Sequence, residues 1–125
     1  MKKILLSLSI LATIFTSCST SDDEGTVQPV EGEISGSATT NRTFAFGNYT
    51  LNGIYTIENG VTVTFDAGST ITANGANGVD AILVKNGGKL IMNGTASQPI
   101  ILTESSQTPG SWGGIIMYGD APIKA

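Results

Sequence analysis

The sequence predicts an all-β solenoid, a parallel β-helix of about two full coils and a partial third. Nearly the same passage occurs twice, as Tyr55-Thr-Ile-Glu-Asn-Gly-Val-Thr-Val-Thr-Phe65 and as Ile82-Leu-Val-Lys-Asn-Gly-Gly-Lys-Leu-Ile-Met92. The Asn-Gly steps in the two copies begin at Asn59 and Asn86, 27 positions apart. The composition agrees: 16 glycines and only 13% charged residues suit short β-branched strands joined by tight turns. A period of this size cannot bury its apolar face alone, so neighbouring coils must stack.

Residues 1–17 read as a secretory leader. Lys2 and Lys3 precede an apolar run, Ile4 to Phe15, that is too short to span a bilayer comfortably. Phe15-Thr-Ser-Cys18 resembles the lipobox of bacterial lipoproteins, with phenylalanine where leucine is usual. The resemblance implies that the Cys18 thiol receives a diacylglycerol, that the leader is cut before it, and that the new amino group is acylated. Several acyl chains are needed because one holds a protein only marginally. The acidic cluster Asp22, Asp23 and Glu24 resembles the surface-export signal of Bacteroidetes lipoproteins, which implies an outer-membrane lipoprotein displayed on the cell surface rather than facing the periplasm. Cys18 is the single cysteine, so an internal disulfide is excluded. Residues 18–40 are polar and acidic and are expected to form a flexible tether.

Residues 41–53 hold Phe44, Phe46, Tyr49 and Leu51 and are expected to cap the open first coil. The coils then occupy residues 54–125. In the first, short strands cover 54–57, 61–65 and 69–73, with turns at Glu58-Asn-Gly60 and Asp66-Ala-Gly68. Strict alternation places Val61, Val63 and Phe65 inward and Thr62 and Thr64 outward. In the second coil, strands are expected at 81–84, 88–92 and 99–103, with Leu90 and Met92 in the inward places of Val63 and Phe65. Lys85 falls over Glu58, an ion pair between coils. Asn59 falls over Asn86, a stacked-amide ladder that would hold register, with a positive φ at the glycine that follows each. A strand from Ile115 to Tyr118 sets Ile115 over Ile82 and Met117 over Val84, and Ile123 would then lie over Leu90. No capping segment follows, so the chain is expected to be the amino-terminal part of a longer protein; a complete short form would need a homodimer to cover its open coil.

Gly60 to Ile71, Gly87 to Thr103 and Gly110 to Met117 resemble the opening coils of Bacteroidetes surface lipoproteins. The resemblance implies a right-handed parallel β-helix similar to the pectate-lyase superfamily fold, with any function of the whole carried in part by further coils.

The sequence points to no catalytic residue, no metal site and no cofactor. From Arg42 onward the acids are Glu58, Asp66, Asp80, Glu104 and Asp120, each beside turn residues, and the chain has no histidine. Turn capping is the simplest role for each aspartate, whereas glycan hydrolysis needs paired carboxylates and eliminative cleavage a base beside a calcium site. Ten acids against six basic residues, a formal charge of −4, argue against a nucleic-acid partner. The expected partners are membrane lipid through Cys18 and a polysaccharide. Trp112, Lys85 and Lys89 are the candidate glycan contacts, with packing favoured for Trp112 and simple solvation an adequate account of the lysines. The expected role is structural, adhesive or glycan-binding; the alternative is a carbohydrate-active enzyme, a polysaccharide lyase or glycoside hydrolase, with catalytic coils beyond residue 125.

Overall fold

The computed structural model describes residues 28–76 and 78–119. Among these residues, eleven strands wind in chain order through three parallel sheets. The first coil is built of β1 (Val30–Ile34), β2 (Ser37–Ala38) and β3 (Arg42–Phe44). The second consists of β4 (Gly47–Leu51), β5 (Ile54–Ile57) and β6 (Thr62–Phe65). The third is β7 (Thr70–Ala73), β8 (Asp80–Val84) and β9 (Lys89–Met92), and β10 (Ile101–Glu104) and β11 (Trp112–Met117) begin a fourth. One sheet stacks β1-β4-β7-β10, the next β2-β5-β8-β11, and the last β3-β6-β9. Every pairing is parallel, as in a right-handed parallel β-helix.

The repeat in the sequence is the register of the stack. Ile57 stands opposite Val84, Val63 opposite Leu90 and Phe65 opposite Met92. Ile115 stands opposite Ile82 and Met117 opposite Val84, past a bulge between Trp112 and Gly114. Because side chains alternate across each strand, one residue in two enters the lumen. Those residues form continuous columns, of which Phe44-Phe65-Met92 and Tyr55-Ile82-Ile115 are two. Ile34, Leu51, Ile57, Val63, Phe65, Ile71 and Ile82 are essentially inaccessible to water.

The stack begins earlier than the sequence suggests. β1 and β2 lie within residues 18–40, read above as tether, and β3 and β4 lie within 41–53, read as a cap; both are ordinary rungs. The reason is steric. Gly32 sits opposite Tyr49, and a Cβ there would come within 3.1 Å of the tyrosine ring. A glycine in an inward position gives room to the ring above, and in doing so erases the apolar alternation that marks a strand. β2 is two residues long and leaves no periodic signal at all.

The lumen is closed at this end by members of the coil itself. The rings of Phe44 and Phe65 stack at 4.6 Å with a 7° tilt, and Tyr49 meets Phe44 edge-on at 5.1 Å. Arg42 shares the inward register of Phe44, and its guanidinium lies 4.4 Å from that ring's centroid. The Tyr49 hydroxyl donates to the Ala45 carbonyl at 2.7 Å, and burial raises its pKa.

Candidate functional site

Two constellations of polar side chains stand out, one at a corner of the coil and one at the last described rung. The corner lies between the β1-β4-β7-β10 sheet and the sheet that follows it. Asp80 opens β8 and is 1% exposed. Its Oδ1 accepts the Gly53 N–H at 2.6 Å and its Oδ2 the Gly75 N–H at 2.5 Å, so one carboxylate joins the turns of two successive coils. Beside it, the Asn74 amide donates to the Asn52 side-chain carbonyl at 2.6 Å, and the Ser105 hydroxyl donates to the Asn74 main-chain carbonyl at 2.6 Å. Glu104, buried as well, accepts from the Ser106 hydroxyl at 2.6 Å, the Ser106 N–H at 2.8 Å and the Ser105 hydroxyl at 3.2 Å. The hydrogen bonds from Ser106 favour the charged form and hold the Glu104 carboxyl down at about 2. Hydrogen bonds to these turns engage both carboxylates, an arrangement that fixes backbone rather than moves protons. Among the described residues no three potential ligands gather as a metal site.

The second constellation is a surface groove of about 420 Å³ lined by residues 84–88 and 117–119. One wall is the turn after β8, with Lys85, Asn86 and Gly87; the other is the end of β11, with Met117, Tyr118 and Gly119. The Tyr118 N–H donates to the Val84 carbonyl at 2.8 Å, which sets the phenol beside the lysine turn. Lys85 Nζ lies 2.8 and 2.9 Å from the two carboxylate oxygens of Glu58, in an exposed ion pair. The groove thus presents an ammonium group, an amide and a largely exposed aromatic ring.

The residues singled out from the sequence fall in different places. Lys85 and Asn86 line the groove. Lys89 stands in β9 opposite Thr62, exposed and apart from the groove lining. Trp112 stands at the other end of β11 opposite Asp80, half-buried, and its indole N–H is buried with no hydrogen-bond partner among the described residues. Asn59 and Asn86 do meet, though not as stacked amides: the Asn59 amide donates to the Asn86 main-chain carbonyl at 2.7 Å. A turn carbonyl is the nearer acceptor because Gly60 and Gly87 both adopt positive φ, 79° and 84°, and the Gly60 N–H reaches the Gly87 carbonyl at 3.0 Å. Cys18, Asp22, Asp23, Glu24 and Ile123 lie outside the described residues.

Sequence reading missed the Asn52–Asn74 pair and the Asp80 clamp. A signal was present, since Asn52-Gly and Asn74-Gly are Asn-Gly steps like Asn59-Gly and Asn86-Gly, but they recur at 22 positions rather than 27. A search with one period cannot find both.

No curated protein and no solved structure matches the chain significantly. The model of the pectate-lyase-like β-helix domain matches residues 33–125. Coils stacked in three parallel sheets agree with that match across most of its length. The chain belongs to the pectate-lyase-like β-helix family.

Proposed function

We propose that this β-helix is a cell-surface module, tethered to the outer membrane through acylated Cys18, that contacts an acidic polysaccharide at the Lys85–Tyr118 groove in an adhesive or structural role. The observation that carries the glycan reading is the juxtaposition of Lys85, Asn86 and Tyr118 in one groove. An aromatic face takes the apolar side of a sugar ring, and an ammonium group beside it takes a uronate carboxylate. Anchoring is supported by the leader and the Phe15-Thr-Ser-Cys18 sequence.

Titration with uronic-acid and neutral oligosaccharides of equal length, followed by NMR, tests the reading. Binding should be selective for the acidic series, weaken with added salt, and fall at least several-fold in Lys85→Gln while persisting in Lys89→Gln. Equal response to neutral sugars, or none to either, would contradict it. Release of unsaturated or hydrolysed products during the titration would instead favour a carbohydrate-active enzyme, the reading that the family's name makes the natural rival. Anchoring has its own readout: Cys18→Ser should abolish incorporation of labelled palmitate and release the protein from the membrane fraction.

A further inference from the structure

The chain carries Asn-Gly steps beginning at Asn52, Asn59, Asn74, Asn77, Asn86 and Asn93, of which Asn77 lies outside the described residues. At such a step the glycine nitrogen can attack the asparagine Cγ. A C–N bond forms, the glycine nitrogen gives up its proton to solvent, ammonia leaves, and water opens the resulting succinimide to aspartate or isoaspartate. Water is the only co-reactant and nothing is oxidised or reduced. Both reacting groups must be free to turn toward each other, because glycine removes the steric barrier but not a hydrogen bond.

The fold treats these steps unequally. The Gly53 and Gly75 N–H groups are held by Asp80, and the Asn52 and Asn74 side chains are bound to each other. The Gly60 N–H is held by the Gly87 carbonyl, and the Asn59 amide by the Asn86 carbonyl. Except for Gly75, whose partner Asp80 belongs to the same coil, the partner comes from another coil. The Asn86 main-chain carbonyl receives the Asn59 amide, but among the described residues neither the Asn86 side chain nor the Gly87 N–H has a hydrogen-bond partner, so this step is held only through its backbone. Asn93 and Gly94 are both exposed, and among the described residues neither the Asn93 side chain nor the Gly94 N–H has a hydrogen-bond partner.

We propose that Asn93 is a site of spontaneous succinimide-mediated conversion to aspartate and isoaspartate, and that the inter-coil hydrogen bonds protect Asn52, Asn59 and Asn74. Asp66 and Asn93 each follow directly on the last registered pair, Phe65 opposite Met92, so the two lie at the same corner of successive coils. Conversion would stand one carboxylate over another at that corner, and the isoaspartate form would also lengthen the main chain by a methylene.

The test is peptide mapping of the full chain aged in mildly alkaline buffer, with isoaspartate resolved by fragmentation, beside a sample aged in urea. In the folded sample Asn93 should convert several-fold faster than Asn52, Asn59 and Asn74; in urea the four should convert at comparable rates. Asn93→Gln, which disfavours the five-membered ring, should remove the mass gain from that peptide. An Asn93 that stays intact when folded, conversion of any protected step at the same rate, or a mass gain surviving in Asn93→Gln would each overturn the assignment.

Discussion

At the amino-terminal end the residues facing the lumen are as buried as those at mid-stack, with Ile34 0% and Phe44 4% exposed. At the last described rung the equivalent positions are open, with Ile115 38% and Met117 70% exposed. Both regions are made of the same short parallel strands. The first coil supplies Phe44, stacked on Phe65, and the guanidinium of Arg42 over its outer face. In the first described coil a large ring and a cation share the inward register and cover the column below them.

The sharpest way to break this comparison is to delete the same kind of side chain at each position. Phe44→Ala removes the ring that the first coil stacks on Phe65, 4% exposed, and should lower stability by about 3–5 kcal/mol. Met117→Ala removes an exposed side chain and should stay within about 0.5 kcal/mol. Urea unfolding of the two variants gives both values; equal losses would mean that the rung of β11 is as closed as the first described coil.

Asp80→Ala comes next. It leaves two turn N–H groups without their charged acceptor, and a loss of about 2–3 kcal/mol is expected from thermal or urea melts. A change under about 0.5 kcal/mol would show that water replaces the carboxylate and that the corner needs no clamp. Smaller again, Arg42→Met keeps the aliphatic stem and removes the cation over Phe44, for about 0.5–1 kcal/mol. A variant as stable as the parent would reduce the closure to the aromatic rings alone.

Glu104 sharpens the contrast by pH. Its folded pKa, about 2, lies below the ordinary carboxyl value of 4.5, so its contribution is full above 4.5 and is lost as pH falls toward 2. Melts across that window should show a decline that Glu104→Gln lessens. A parallel decline in the two proteins would remove Glu104 from the account.

How much of this was legible depended on whether a single period described it. From Tyr55 to Met92 the strands, the Lys85–Glu58 pair and the inward residues could be read directly, because the β5–β8 and β6–β9 steps share one offset. The first coil was hidden because Gly32 leaves space for Tyr49 instead of showing an apolar side chain. Asp80 looked like any turn aspartate, since nothing local says that its two oxygens reach Gly53 and Gly75 in different coils. Lys85 could be singled out as a cation, and the register that sets Met117 over Val84 already carries Tyr118 over Lys85, but nothing in the sequence marks that pair as the walls of a groove.

All of these statements depend on the coils lying in parallel register, and a pair of spin labels reads that most directly. Thr50 and Thr103 flank the same column of the outer face, each opposite Thr72 in the strand between them. Two strand spacings put them about 10 Å apart. Nitroxides at Thr50→Cys and Thr103→Cys, introduced in a Cys18→Ser background, should broaden each other's spectra strongly, and labels at Thr50→Cys alone should not. Spectra of the double-labelled protein that simply sum those of the single labels would contradict the stack.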